Sequence, residues 1–372
     1  MQVIIDARTA TSHFPGIGRY VSNLLDAIAA LQDEMSLHII RSPAPIGYPV
    51  ASSLQETVCD ASVFSLRQQW AIPKLIDKIG GSLYHSTYYL MPYRVNVPVV
   101  FTCHDLIPIV YPQYFSPFQR TIYRVAHRIA ARASSCIIAV SESTKSDLTK
   151  YFSIDERKIS AIPLAANKTF NPQPMDTIEV ARSRYDLPQR YCLYVGTNKP
   201  HKNLLGLLNA WKLLYDKKAL EGHSLIIAGQ WDPRYPEAKE LTSTSGLNKV
   251  VTFTGEVNEE HLPALYSGAS VFVQPSLYEG FGLPIIEAMA CGTAVTCSNT
   301  SSLPEVAGDA AMLFDPRDPK SIAATLGDII ADNAKRDSLR EKSIQRASRF
   351  SWQKTALNTI DIYRKVCLSS KV

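Results

Sequence analysis

The chain has 372 residues, 46% of them hydrophobic and 20% charged, with a formal net charge of +5. That length exceeds one ordinary core, so two domains are expected, and no apolar run reaches the ~18 residues of a membrane span. The modest charge gives no ground for a nucleic-acid partner, although it tolerates an anionic ligand or an anionic membrane surface.

The opening "MQVIIDART" lacks the basic-then-apolar order of a secretory signal and reads as a first strand ending at Asp6. Further strands are expected at 37–40, 82–86, 97–105, 135–141 and 159–164. A second series follows at 191–197, 224–229, 250–255, 271–276, 293–298 and 311–316. These runs are apolar almost throughout, which suits strands buried on both faces of a parallel sheet. Helical patterns lie between most of them, so the fold class is α/β and doubly wound. The polar stretch around 171–190, with its prolines, separates the two series. It is expected to link an N-terminal domain at 1–170 to a C-terminal domain at 191–352. "FSWQKTALNTIDIYRKV" reads as a closing helix over 353–372, with Ser351 as its N-cap. The seven cysteines, Cys59, Cys103, Cys136, Cys192, Cys291, Cys297 and Cys367, contain no CxxC pair. They read as reduced core residues of a cytoplasmic protein, and neither a disulfide nor a metal is expected.

The most informative stretch is "YEGFGLPIIEAMACGTAV", residues 278–295, where Glu279 and Glu287 stand eight positions apart. Pro284 suits a first helical turn and Gly292 a helix end. The amides of Gly280, Phe281, Gly282 and Leu283 then lie at a helix N-terminus on the carboxyl edge of a parallel sheet, where anions and nucleotides bind. A carboxylate there would repel a phosphate unless it accepts hydrogen bonds from neighbouring hydroxyls. Two such carboxylates suit a ligand with phosphate in the middle and polyols on both sides, a nucleotide-sugar. A plainer reading also fits: Glu287 favours the helix dipole and Glu279 is a solvated loop residue.

Seven segments in order resemble the GT4-type retaining GT-B glycosyltransferases with their E-x7-E motif. They are "GIGRYVSNLL", "VFTCHDLIPIVYPQYF", "IIAVSESTKSDL", "ISAIPLAANKTF", "LYVGTNKPHKNLLGLLNAW", the stretch from "VTFTGEV" to "ACGTAV", and "FSWQKTALNTIDIYRKV". The resemblance implies two Rossmann-like domains facing across a cleft, the first on the acceptor side and the second binding the donor. It also implies that the closing helix packs back on the first domain.

By that resemblance, Glu279, His104 and Lys202 are the catalytic candidates. Glu279 would hold hydroxyls of the donor hexose, Lys202 the diphosphate, and Glu287 the ribose. Gly196, Thr197, Lys199, Gly229, Glu256, Val257 and the amides of 280–283 would complete the donor site. Thr197 stands where many members carry arginine, so Lys199 is a candidate second cation. Gly16, Gly18, Arg19 and Asp105 would line the acceptor side, with "PGIGRY" read as a loop. No DxD pair is found, so no metal or other cofactor is expected. A fixed lysine and backbone amides would stabilise the departing diphosphate.

"GIGRY", "CHDLIP" and "VGTNKPHKN" look closest to bacterial mannosyltransferase-like members. The expected reaction is transfer of a hexose, best guess mannose from GDP-mannose, to a saccharide or lipid-linked acceptor in polysaccharide or O-antigen-type biosynthesis. A UDP-sugar-dependent transferase, a GT-B epimerase or phosphorylase, and a non-catalytic GT-B subunit are the alternatives. Arg120, Arg124, Arg128 and Arg132 recur every four residues as a helical stripe, after the aromatics Tyr111, Tyr114, Phe115 and Phe118. Ile122, Val125, Ala126, Ile129 and Ala133 are read as the opposing core face. Cations beside aromatics suit peripheral attachment to an anionic membrane at the inner face of the plasma membrane; an ordinary solvated helix face fits equally.

Overall fold

A computed structural model describes residues 1–11, 13–31, 35–43 and 54–369. Two compact units account for it, one of Met1–Leu164 with Ser351–Val372, the other of Ala165–Phe350. The last three residues of the expected closing helix lie outside the described residues.

The first unit carries β1 (Gln2–Asp6), β2 (Ser36–Arg41), β3 (Gln55–Val58), β4 (Leu83–Ser86), β5 (Val99–Cys103), β6 (Cys136–Ala139) and β7 (Ile159–Ala161). All pair in parallel, in the order β3-β2-β1-β4-β5-β6-β7. The order reverses between β1 and β4, which places a topological switch point there. β3 escaped sequence reading because "QETV" is polar and mostly exposed, as an edge strand can be. On one face, the core joins Ile72 and Ile76 of the Gln68–Ile79 helix to Ala130 and Ala131 of the Pro117–Ala133 helix, over Tyr84, Phe101 and Ile137. The closing helix, Trp352–Ser369, packs on the Pro15–Ala30 helix of the same unit. Ser351 Oγ accepts from the amide of Lys354 at 3.2 Å and caps that helix.

The second unit carries β8 (Tyr191–Val195), β9 (Ser224–Ala228), β10 (Val251–Gly255), β11 (Val271–Gln274), β12 (Val295–Ser298) and β13 (Ala311–Phe314). These are also parallel, in the order β10-β9-β8-β11-β12-β13, with the switch point between β8 and β11. The leucine-rich Leu204–Asp216 helix covers one face through Leu207, Leu208 and Trp211. Residues 171–190, expected as a linker, include the Met175–Arg184 helix, whose Ile178 and Ala181 are buried within this unit. The division falls at 164/165 and 350/351 instead of around 171–190 and 352. None of the seven cysteines forms a disulfide, and five are buried. Among the described residues no helix is long and apolar enough to cross a membrane.

Two local expectations are corrected. "PGIGRY" is not a loop but the first turns of the Pro15–Ala30 helix, and Pro15 suits its N1 position. The apolar positions expected to bury the Pro117–Ala133 helix mostly do not. Ile122 is 45% exposed, Val125 51% and Ile129 39%, and Phe118, expected to precede the helix, is 74% exposed. The buried face is instead Ala126, His127, Ala130 and Ala131, small residues that let the helix sit close to the sheet. Phe118 belongs to the helix itself, after a capping box in which Ser116 Oγ accepts from Gln119 N at 3.2 Å.

Candidate functional site

The residues expected on the donor side collect on the carboxyl edge of the second sheet. Gly196 to Lys202 follow β8, Gly229 follows β9, Glu256 and Val257 follow β10, and Glu279 to Leu283 follow β11. β8 and β11 flank the switch point, where open α/β sheets bind ligands.

Lys202 closes a single 3-10 turn, Pro200–Lys202, and Asn203 then takes a left-handed conformation with φ of 60°. The Asn203 amide donates to the carbonyls of Pro275 and Pro316 at 3.0 and 2.8 Å, fastening this turn to the ends of neighbouring strands. The Lys202 ammonium is thereby held against Glu279, donating to its two oxygens at 2.7 and 2.9 Å. Glu279 also accepts from Gln274 Nε2 at 2.9 Å and from Ser276 Oγ at 2.7 Å. Burial pushes its carboxyl up, but the Lys202 ammonium and the Ser276 hydroxyl hold it below the usual carboxylate range. Burial and the neighbouring Lys202 bring His201 down to about 3, so it adds no second charge to the turn. Lys199 and Glu256 are exposed, whereas Val257 is buried.

The loop 279–283 is fixed from a segment that sequence reading passed over. Ser301 Oγ accepts from Glu279 N at 3.0 Å, and Ser302 Oγ donates to the carbonyls of Glu279 and Phe281 at 3.0 and 2.8 Å. Gly282, at φ of 103°, turns the chain into the Leu283–Ala290 helix, with Pro284 in its first turn. Glu287 is buried on that helix and accepts from Tyr266 OH at 3.0 Å. Neither Ser301, Ser302 nor Tyr266 carries a motif that would have marked it.

Gly229 has φ of 136°, and a Cβ there would lie 2.3 Å from the Gly196 carbonyl oxygen, so the two loops touch backbone to backbone. Tyr194 OH donates to the Thr197 carbonyl at 2.7 Å. Asn198 ties this loop to the next, accepting from Asp232 N at 2.7 Å and donating to the carbonyls of Asp232 and Tyr235 at 2.8 and 2.7 Å. Beside them is an open recess lined by Gly196, Gly229, Trp231, Lys239 and Phe253. Lys239 Nζ lies 4.4 Å from the centre of the Trp231 ring.

His104, Asp105, Gly16, Gly18 and Arg19 belong to the first unit. His104 follows β5, and its Nε2 donates to the Thr87 carbonyl at 3.1 Å. That bond fixes the tautomer and leaves Nδ1 as the acceptor. Burial brings His104 down to about 4, so it is neutral at pH 7. Its ring meets the edge of Tyr20 at 4.9 Å, and Tyr20 OH and His85 Nε2 both reach Thr102 Oγ1, at 3.0 and 2.7 Å. His85 Nδ1 in turn reaches Tyr363 OH at 2.6 Å, linking the closing helix to the same polar network. Asp105 Oδ1 accepts from Ile107 N at 3.0 Å, at the start of the short Ile107–Val110 helix.

Residues 177–346 match the family described as glycosyl transferases group 1, and residues 15–169 match glycosyltransferase family 4. The chain is 34% identical over 302 residues to the O-antigen chain mannosyltransferase B of Escherichia coli, covering 80% of this chain and 77% of that one. It is 31% identical over 363 residues to the serotype-specific mannosyltransferase WbdA of Escherichia coli, covering 94% of this chain but only 44% of that longer protein. Its fold is similar to sucrose-phosphate synthase from Thermosynechococcus elongatus, with a TM-score of 0.82 at 23% identity over 99% of this chain and 100% of that one. With two Rossmann-like units and both family matches in order, the chain belongs to glycosyltransferase family 4 and has the GT-B fold.

Proposed function

We propose that this glycosyltransferase moves mannose from GDP-mannose, with retained anomeric configuration and without a metal, to a saccharide growing on a lipid carrier in O-antigen-type synthesis. The observation that carries the reading is the Lys202–Glu279 pair at the switch point of the second sheet. A fixed cation and a hydrogen-bonding carboxylate are what a sugar diphosphate needs at adjacent points. The names of the mannosyltransferase relatives favour mannose.

On this reading, donor binding exchanges the pair's partners. The diphosphate draws the Lys202 ammonium, and Glu279 turns its freed lone pairs to hexose hydroxyls. Glu287 takes the ribose hydroxyls, held by Tyr266. As the bond from the sugar carbon to the phosphate oxygen breaks, the charge on the leaving diphosphate grows, and Lys202 with the 280–283 amides stabilises it. The acceptor oxygen bonds to the same face of that carbon, and its proton passes to the leaving phosphate oxygen. In the first unit, neutral His104 keeps Nδ1 as an acceptor for a hydroxyl and is not assigned as a general base.

The reading extends to the membrane. Phe118, Ile122, Val125 and Ile129 form an exposed apolar stripe along one helix, and exposed Arg120, Arg124, Arg128 and Arg132 run beside it. A helix of this kind lies in the plane of an anionic bilayer, as expected at the inner face of the plasma membrane.

Reaction with GDP-mannose in the presence of EDTA, followed by NMR of the product's anomeric proton, tests the chemistry. An α-linked mannoside is expected. A β-linked product, or turnover that needs an added divalent metal, would overturn it.

A further inference from the structure

The first unit carries a run of aromatic rings that the donor chemistry does not use. Phe64, after β3, stacks on Phe14, after β1, with ring centres 5.9 Å apart and planes inclined by 27°. Phe14 meets Tyr88, after β4, at 5.3 Å. Tyr88 meets Tyr89 at 4.4 Å, and Tyr89 reaches Tyr123 of the Pro117–Ala133 helix at 4.9 Å. Three separate loops and a helix thus contribute to one row.

Two features separate this row from ordinary core. It lies at the carboxyl edge of the first sheet and spans the β1/β4 switch point, where α/β folds bind ligands. It is also open at one end: Phe64 is 60% exposed, and Phe14 and Tyr88 are half-buried. The loop that presents Phe64 is rigidly anchored below. The Arg8 guanidinium donates to Asp6 Oδ2 at 2.6 Å, to the Ala61 carbonyl at 2.7 Å and to Gln68 Oε1 at 3.0 Å, all buried. Gln68 in turn donates to the Val63 carbonyl at 2.5 Å. A buried, fully engaged guanidinium under an exposed phenyl ring presents that ring in one place.

We infer that the Phe64–Phe14–Tyr88 row is the acceptor-saccharide platform of this enzyme, taking pyranose rings by their apolar C–H faces. This rests on the glycosyltransferase reading above. Aromatic faces carry negative quadrupole potential and attract the weakly positive C–H groups of a sugar ring, while the sugar's hydroxyls stay at the rim.

Saturation-transfer NMR of the full chain with α-mannotriose, without donor, tests the assignment. A separate calorimetric titration with GDP reads the donor site. Saturation is expected on the ring C–H protons of the trisaccharide, with aromatic irradiation effective. In Phe64→Ala the apparent Kd rises about tenfold, the value of one lost ring contact, and GDP affinity is unchanged. Phe64→Trp restores binding. No saturation transfer to the wild-type ligand, or an unchanged Kd in Phe64→Ala, would overturn the platform whatever GDP does. So would a Phe64→Ala protein that keeps its trisaccharide affinity but is lost from anionic vesicles, since the ring would then serve the bilayer. Absence of GDP binding with intact trisaccharide binding would count against the donor reading alone.

Discussion

Lys202 Nζ sits 2.7 Å from one Glu279 oxygen and 2.9 Å from the other, so two residues assigned to different parts of a donor neutralise each other before any donor arrives. The side chains are 18% and 10% exposed, which makes the pair costly to break from one side only. Lys202→Met is expected to destabilise the fold by about 3 kcal/mol, because it strands a buried carboxylate. Adding Glu279→Gln should recover at least about 1 kcal/mol of that loss. Urea denaturation of the two single variants and the double variant measures the coupling; strictly additive losses would contradict it.

Glu279→Gln keeps the size of the side chain and loses the charge proposed to accept the donor hydroxyls. Transfer is expected to fall by about 10²–10³ while GDP still binds within a few-fold of the wild type. Parallel kcat and GDP-titration measurements check this. Wild-type turnover by the variant would remove Glu279 from the site.

Three buried histidines and the partly buried His104 lower stability in acid. Burial brings His85, His127 and His201 down to about 3 and His104 to about 4. Each is neutral when folded but takes a proton in the unfolded chain below about pH 6.5. The unfolded state then binds more protons, so stability falls as pH drops from about 6.5 toward 4. Each histidine contributes a slope of up to about 1.4 kcal/mol per pH unit. Glu279, whose carboxyl is held low, adds to the loss only below its ordinary range. Denaturation at pH 7.5, 6.5, 5.5 and 5.0 should show the decline, and His127→Gln should flatten it. A stability independent of pH above 5 would refute the assignment.

Glycines in the two units should differ sharply. Gly229→Ala forces a Cβ to 2.3 Å from the Gly196 carbonyl oxygen at a φ of 136°, and is expected to cost more than about 2 kcal/mol. Gly16 has nothing within 4 Å of an added Cβ and lies in a helix, so Gly16→Ala should gain up to about 1 kcal/mol. Melting temperatures of the two variants give the comparison.

The exposed stripe on the Pro117–Ala133 helix predicts membrane behaviour. Ile122→Ser with Val125→Ser should lower recovery on anionic vesicles severalfold without unfolding the protein, since both side chains are exposed. Arg124→Glu with Arg128→Glu should do the same on anionic vesicles only. Equal flotation of the wild type on neutral and anionic vesicles would exclude the electrostatic part.

Much of the carboxyl edge of the second sheet was legible because its residues carry local signatures. Glycine, proline and glutamate in "YEGFGLPIIE" each constrain backbone or charge, and β8, β9, β11 and β13 are largely apolar. What stayed hidden depends on tertiary placement. Ser301, Ser302 and Tyr266 look like any hydroxyl residues until the loop folds beside them. β3 is polar because it is an edge. The Pro117–Ala133 helix shows the limit most clearly. Its periodicity marks an apolar face correctly, but periodicity cannot tell whether that face meets the sheet or the solvent, and here alanines meet the sheet.

Calorimetric titration of the purified chain with GDP-mannose, GDP-fucose, UDP-glucose, UDP-GlcNAc and dTDP-rhamnose, all with EDTA present, tests the central claim most directly. GDP-mannose is expected to bind most tightly, and Lys202→Met to weaken it at least tenfold. Preference for another donor would replace mannose or guanine in the account. Failure of every donor to bind a well-folded sample would contradict the donor site itself.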